Sequence, residues 1–161
     1  MAAVDMFLKI DGIKGESNDK THKDEIEILS LSWGVANTGS GAFGSGSGSG
    51  KASVSDINIM KHVDKATPNL WKYCFQGKTV GDADITVRKA GGDPVEYLKY
   101  KLTEVFVSSV QDSASDGGGI ATESLSLNFA KVEIDYTLQS ADGTAGATTP
   151  VTLWIKENKV T

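Results

Sequence analysis

The chain lacks the residues on which several common kinds of protein depend. Cys74 is the one cysteine among 161 residues, so no internal disulfide can form and nothing indicates an oxidising compartment. No stretch approaches the ~18 consecutive apolar residues that a membrane helix needs. Neither His22 nor His62 has a second histidine or a cysteine at metal-ligand spacing, which argues against structural zinc. His22 stands in a polar stretch that predicts a solvated turn.

A surplus of positive charge is also missing. The formal net charge is −5 and the two signs are interspersed, which argues for solubility and against a nucleic-acid surface. The most basic neighbourhood, formed by Arg88, Lys89, Lys99 and Lys101, has no aromatic residues interleaved on the same face. The N-terminus shows no basic region followed by an apolar stretch, so we expect synthesis in the cytoplasm without a signal peptide.

Motifs that carry chemistry are absent or incomplete. Gly39–Gly44 matches the dinucleotide fingerprint as text, but more glycine and serine follow it instead of a helix. Gly77–Thr79 resembles the end of a phosphate loop, yet it follows a predicted helix where that loop must precede one. Asp82 and Asp84 remain candidates for the two catalytic carboxylates of a glycosidase, although two acidic residues on one strand face usually mark an exposed edge. We therefore predict no enzyme activity, cofactor or metal.

Period-two alternation recurs along the chain and predicts short strands separated by Gly, Ser, Asp and Asn clusters. The predicted fold is a single all-β domain over residues 1–161 with one short α-helix. Its two curved, mainly antiparallel sheets would form a β-barrel or sandwich. The expected strands lie near 5–10, 25–33, 53–60, 79–89, 95–110, 122–138 and 150–156.

The longest alternating run changes phase. Apolar residues occupy odd positions over 125–129 and even positions over 132–138. Because side chains alternate strictly along a strand, the reversal requires a bulge or a move onto another sheet. Two shorter strands meeting at a kink are the alternative. A milder shift occurs between Leu102 and Val105.

One helix is predicted at about 68–76. Thr67 can cap it, Pro68 suits its first position, and Gly77 can end it in a left-handed conformation. Three- and four-residue spacing predicts a core face made of Leu70, Trp71, Cys74 and Phe75. Cys74 is then a small apolar residue under the helix rather than a reactive thiol.

Several segments together resemble one protein family. Ile85–Gly92 predicts a strand ending in an Ala-Gly-Gly turn, and a second strand begins after Pro94. The sequence of this segment is similar to that of the Hcp (haemolysin-coregulated) tube proteins of bacterial type VI secretion systems. The likeness extends in the family's order over most of residues 5–137, in Phe7–Ser17, Glu25–Gly34, Val63–Leu70, Val107–Val110 and Leu125–Val132. Ser140–Thr161 matches less clearly.

The resemblance implies a structural protein. Six copies would form a ring with an open channel, and rings would stack into the inner tube of the secretion apparatus. The tube would be assembled in the cytoplasm, carry small effector proteins in its channel, and be secreted on firing. The contractile sheath, the spike and the baseplate would be its other partners. No nucleic acid or membrane insertion is implied.

Two regions are candidates for roles in such a tube. Ser30 and Ser32, beside Trp33, are candidates for a channel wall of small polar side chains, and the alternative is an ordinary exterior face. The Gly/Ser-rich segment at about 37–51 has the composition of a flexible loop. By resemblance it would contact the next ring through Thr38, Gly41, Ala42, Phe43, Gly44, Gly50 and Lys51.

Two other classes of function stay open. The first is a monomeric β-sandwich module that binds a sugar or peptide through clustered aromatics, whereas Trp33, Trp71 and Trp154 are scattered along this chain. The second is a small hydrolase, which would need a convergent carboxylate or metal site. Native mass separates the tube subunit from both.

Overall fold

The structure is a computed structural model that describes residues 4–37, 52–90 and 94–161. Twelve β-strands and one α-helix follow one another along these residues. The helix α1 spans Thr67–Gln76. The strands are β1 (Val4–Ile10), β2 (Ile26–Glu27), β3 (Ser30–Ser32), β4 (Val35–Asn37), β5 (Ala52–Val54), β6 (Ile57–His62), β7 (Thr79–Lys89), β8 (Glu96–Ser113), β9 (Thr122–Asn128), β10 (Lys131–Gln139), β11 (Ala145–Trp154) and β12 (Lys159–Val160).

The 18-residue strand β8 is shared by two branches of one sheet. Its first half pairs with β7 and β10, and its second half pairs with β9. Between the halves, Glu104 has a φ of 54°, which is uncommon for a residue other than glycine. Leu102 and Val105 are both buried although they lie three positions apart, an odd spacing that strict alternation would place on opposite sides. The predicted phase shift between them is therefore confirmed.

The stronger phase reversal marks the passage from β9 to β10. A short turn at Phe129 and Ala130 separates the two strands. β9 lies between β6 and β8, whereas β10 lies between β8 and β11. The run is two shorter strands that meet at a turn, as in the alternative interpretation, and each strand belongs to a different branch, as in the predicted move onto another sheet.

The architecture confirms an all-β fold with one short helix and antiparallel strand pairing. One branch runs β12-β11-β10-β8-β7-β1-β2 and the other β3-β6-β9-β8, while β4 and β5 form a separate pair. The branches meet where Ile28 N–H donates to Met6 O and Leu29 N–H donates to Met60 O. A sandwich describes this arrangement of the described residues better than a barrel, because the branched sheet does not close on itself.

A continuous hydrophobic core fills the space between the branches. Each buried aliphatic side chain contributes roughly 1.5–3 kcal/mol relative to an exposed one. The core includes Leu8, Ile10, Ile26, Ile57, Ile59, Leu70, Ile85, Leu102, Val105, Val107, Leu125, Leu127 and Val132.

Helix α1 begins differently from the sequence-based prediction. Ala66, rather than Thr67, occupies the N-cap position, and no side chain caps the helix there. Thr67 instead accepts a hydrogen bond from Asp64 N–H and donates one to Glu123. Gly77 ends the helix with φ 65°, as predicted, and its N–H bonds the carbonyls of the last turn. With ten residues, α1 is too short to cross a membrane, and the described residues contain no other helix.

His22 is buried, which corrects the prediction of a solvated turn. The residue is 7% exposed and its ring stacks on Phe7 with centroids 4.4 Å apart. Nδ1 lies 2.8 Å from Glu25 Oε2, and Nε2 lies 2.6 Å from Glu96 Oε1. The ring is buried because two carboxylates satisfy both of its nitrogens. It fastens the loop between β1 and β2 to the sheet.

Candidate functional site

Strands β3, β6, β9 and the second half of β8 present polar side chains on one face. Residues directly opposite each other in an antiparallel pair project to the same side. The register aligns Ser30 with Met60 and Ser124, and Ser32 with Asn58 and Ser126. The polar face, as we name it, consists of Ser30, Ser32, Asn58, Met60, His62, Ser109, Gln111, Ser113, Thr122, Ser124 and Ser126.

The opposite side of the same strands is apolar. Ile57 and Ile59 of β6 pair with Leu127 and Leu125 of β9, and all four are buried. Strict alternation therefore gives these strands one side in the core and one side outside it. The polar face is backed by close-packed side chains, which makes it a rigid surface.

A cluster of hydroxyl groups lies near one end of the polar face. A bulge at Ser108 places its Oγ 2.7 Å from Ser126 Oγ, and Ser109 Oγ lies 2.6 Å from the same atom. Ser108 also donates to Asp56 Oδ2 at 2.6 Å, and Asn128 donates to Asp56 Oδ1 at 2.9 Å. These groups bond one another, so they offer weak hydrogen bonding to a ligand instead of a strong binding site.

Charged groups of these strands face away from the polar face. His62 is the one titratable side chain among the residues that define it. Within residues 4–37, 52–90 and 94–161, no group of three His, Cys, Asp or Glu side chains is placed to hold a metal ion. Apart from Met60 and His62, the side chains of this surface are neutral hydrogen-bond donors and acceptors.

A buried ion pair joins helix α1 to the back of the polar-face strands. Lys61 Nζ lies 2.5 Å from Glu123 Oε2 and 2.9 Å from Asp64 Oδ1. Trp71 Nε1 donates to Glu123 Oε1 at 3.2 Å. Burial raises the pKa of the Glu123 carboxyl, and the hydrogen bond from Lys61 opposes that effect. Sequence reasoning missed this pair, because Lys61 and Glu123 are ordinary polar residues in an alternating pattern.

The predicted core face of α1 is only partly correct. Leu70 is buried and Cys74 is half-buried, but Trp71 is 46% exposed and Phe75 is 94% exposed. The helix packs along Thr67, Leu70 and Cys74, a stripe with three- and four-residue spacing. Phe75 lies about 100° around the helix from Cys74. The contact between α1 and the core thus buries one of the two rows of side chains that the helical spacing allowed.

Ser30 and Ser32 are exposed on β3, the edge strand of the polar face. The sequence pattern did not indicate the other members of this face as candidates for a channel wall. The alternation of Ser124 and Ser126 with leucine was visible, but the register that aligns them through β6 with Ser30 and Ser32, respectively, was not. The contact-loop candidates Thr38, Gly41, Ala42, Phe43, Gly44, Gly50 and Lys51 lie outside the described residues. The paired strands β4 and β5 flank that segment.

Comparison with known proteins identifies the family. The family model described as "Type VI secretion system effector, Hcp" matches residues 7–136. The chain belongs to the Hcp family of type VI secretion system tube proteins. This Hcp chain is 51% identical over 142 residues to the protein hcp1 of Pseudomonas aeruginosa, covering 88% of each chain.

Solved structures agree with this assignment. Hcp1 from Salmonella typhimurium superposes on this Hcp chain with a TM-score of 0.80 at 40% identity, covering all of both chains. A structure described as a type six secretion system protein gives a TM-score of 0.93 at 31% identity, covering 99% of this chain and 100% of that one. The resemblance inferred from the sequence is confirmed. The family match ends at residue 136, close to where the sequence likeness weakened.

Proposed function

We propose that the chain is the structural subunit of a type VI secretion inner tube and that its polar face lines the channel. Membership of the Hcp family supports the tube, and the polar face supports the assignment of the wall. Six copies form each ring, and the rings stack into a hollow tube. This function requires no reaction, cofactor or metal.

The chemistry of the polar face suits a wall that releases its contents. A conduit must hold cargo weakly, because tight binding would prevent release. Neutral side chains such as Ser32, Asn58 and Ser124 hydrogen-bond as well to water as to a protein, so each contact contributes little net free energy. The wall therefore retains small effector proteins mainly by enclosure and protects them until ejection.

Two free strand edges support ring formation. Among the described residues, β3 pairs with β6 alone, and β8 beyond Phe106 pairs with β9 alone. These edges lie on opposite sides of the strands that carry the polar face. Exposed edges pair readily with other strands. When two different edges pair, each protomer is rotated relative to the last, and a closed ring forms if these rotations add up to a full turn. Neighbouring protomers thus extend one sheet around the channel.

The other partners follow from the same proposal. The sheath surrounds the tube, the spike caps it, and the baseplate positions it. The segment that β4 and β5 flank contacts the next ring through Thr38–Lys51. The protein is cytoplasmic while the tube is assembled and extracellular after firing.

Native mass spectrometry with negative-stain imaging tests the assignment. A hexameric mass with ring-shaped particles about a central hole is the expected result at micromolar concentration. A stable monomer without rings would overturn the proposal and favour the monomeric ligand-binding module.

A further inference from the structure

An almost fully solvent-exposed phenylalanine lies near the C-terminal end of α1. Phe75 is 94% exposed. Lys72 lies one turn earlier on the same side of the helix, and Lys78 follows just beyond the helix end. Neither lysine forms an ion pair with the described part of the chain. We name Phe75 with these two lysines the aromatic knob.

A cleft of about 430 Å³ lies where β1, the β2–β3 connection and the end of β6 meet. Its lining includes the exposed apolar side chains of Val4, Leu29 and Ile120. Glu16 and Glu27 also line it, and neither is ion-paired within residues 4–37, 52–90 and 94–161. A cavity of about 150 Å³ already accommodates a benzene ring, so this acidic cleft can hold one aromatic side chain.

The knob and the acidic cleft lie toward opposite ends of the polar-face strands. His62 lines the cleft and pairs with Thr122, the first residue of β9. The knob precedes Thr79, which pairs with Phe106, and Phe106 pairs with Asn128 at the last residue of β9. Helix α1 bridges the two ends, since ten helical residues span about 15 Å and seven strand residues span roughly 20 Å.

We propose that the aromatic knob of one protomer enters the acidic cleft of a second copy in the adjacent ring, joining the rings head to tail. This inference rests on the proposed stacked-ring function and names a contact that carries the stacking. Phe75 fills the apolar part of the cleft, while Lys72 and Lys78 approach Glu16 and Glu27.

The two surfaces complement each other in shape, since one projects and the other is concave, and in charge, since one is basic and the other acidic. They are different surfaces of one chain. A contact between different patches is heterologous, so it does not terminate at a dimer. Placed toward opposite ends of the protomer, such a contact propagates along the axis of the tube. It also covers a phenylalanine that would otherwise remain exposed to water.

Replacing the central aromatic tests the contact in the full-length protein. In Phe75→Ser, we expect intact hexameric rings and at least about a tenfold higher concentration for half-maximal stacking, as for loss of a central aromatic anchor. Sedimentation velocity and stack lengths in negative stain measure this. Tyr136→Ser is the matched control, because Tyr136 is an exposed aromatic on β10 that does not line the cleft.

Charge reversal tests the pairing independently. Lys72→Glu with Lys78→Glu weakens stacking, and adding Glu16→Lys with Glu27→Lys restores it. In a Cys74→Ala background, Phe75→Cys with Leu29→Cys forms a disulfide between protomers under mild oxidation, giving covalent ladders that span stacked rings. Phe75→Cys with Tyr136→Cys forms none.

The outcomes separate this contact from the tube assignment. Rings of Phe75→Ser that stack as well as the parent, without rescue or cross-linking in the other variants, overturn the contact and leave the tube subunit standing. Loss of the rings themselves in Phe75→Ser also overturns it, since the knob then acts within a ring. A parent protein that forms no rings overturns the proposed function.

Discussion

Lys61 and Glu123 form an ion pair with Nζ and Oε2 2.5 Å apart, and neither side chain is exposed to solvent. The pair lies directly behind the polar face, because neighbouring residues His62 and Thr122 project to the other side. It joins β6, β9 and α1 through Thr67 and Trp71. The helix is thereby anchored to the strands that carry the candidate channel wall.

Breaking this pair from one side should be costly. Lys61→Met leaves Glu123 buried without its cation, and we expect a loss of about 3–5 kcal/mol in the free energy of unfolding. Lys61→Met combined with Glu123→Leu should lose less, because the fully buried Glu123 carboxylate is no longer left without a cation. Urea denaturation measures both. Lys101→Met is the control, since Lys101 pairs with Glu133 and Asp135 at the surface and should change stability little.

Acid should weaken the fold through Asp19. The Arg88 guanidinium, which donates to both carboxylate oxygens, holds the pKa of Asp19 well below its usual range. A lowered pKa stabilises the fold above the unfolded-state pKa of about 3.9, and that stabilisation is lost as pH falls below it. Thermal unfolding should show a Tm that drops less between pH 5 and pH 2.5 in Asp19→Asn than in the parent. An equal drop in both proteins would contradict this, and Asp116→Asn serves as the control.

Helix packing provides a matched pair of substitutions. Leu70→Ala removes a fully buried side chain and should cost about 2–5 kcal/mol in the free energy of unfolding. Phe75→Ala removes an exposed ring and should leave stability within about 0.5 kcal/mol. Denaturation of dilute protein makes the comparison. Equal losses would show that the helix packs through the face first predicted from the sequence.

Enlarging a side chain on the polar face should affect cargo and not the fold. Ser32→Tyr adds bulk on the candidate wall, and we expect unchanged rings with reduced protection of an enclosed effector against protease. Ser53→Tyr adds the same bulk on β5, which lies outside the polar face, and should protect normally. Equal protection by both variants would argue that the polar face is an exterior surface.

The glycine-rich segment should matter for stacking alone. Deleting Gly44–Ser49 shortens a segment assigned to contact with the next ring, so rings should form normally and stack less. Analytical ultracentrifugation at a series of protein concentrations measures the shift. Normal polymerisation of the shortened protein would remove the segment from the proposed contact.

Sequence patterns determined the kind of fold and the family, because both depend on local order along the chain. Alternation revealed the strands, the phase change after Phe129 revealed an irregularity in the longest run, and Gly77 marked the helix end. These signals need no partner strand to be read. The resemblance to Hcp proteins also rests on short local stretches of sequence.

Tertiary structure decided which residues meet. Strand register placed Ser30 opposite Met60, and Met60 opposite Ser124, and no pattern within β3 could specify that alignment. The buried Lys61–Glu123 pair joins residues 62 positions apart. Phe75 faces outward although the helical spacing allowed an inward face. The period of a helix or strand defines which residues share one of its sides. Only the contacts between helices and strands determine which side is buried.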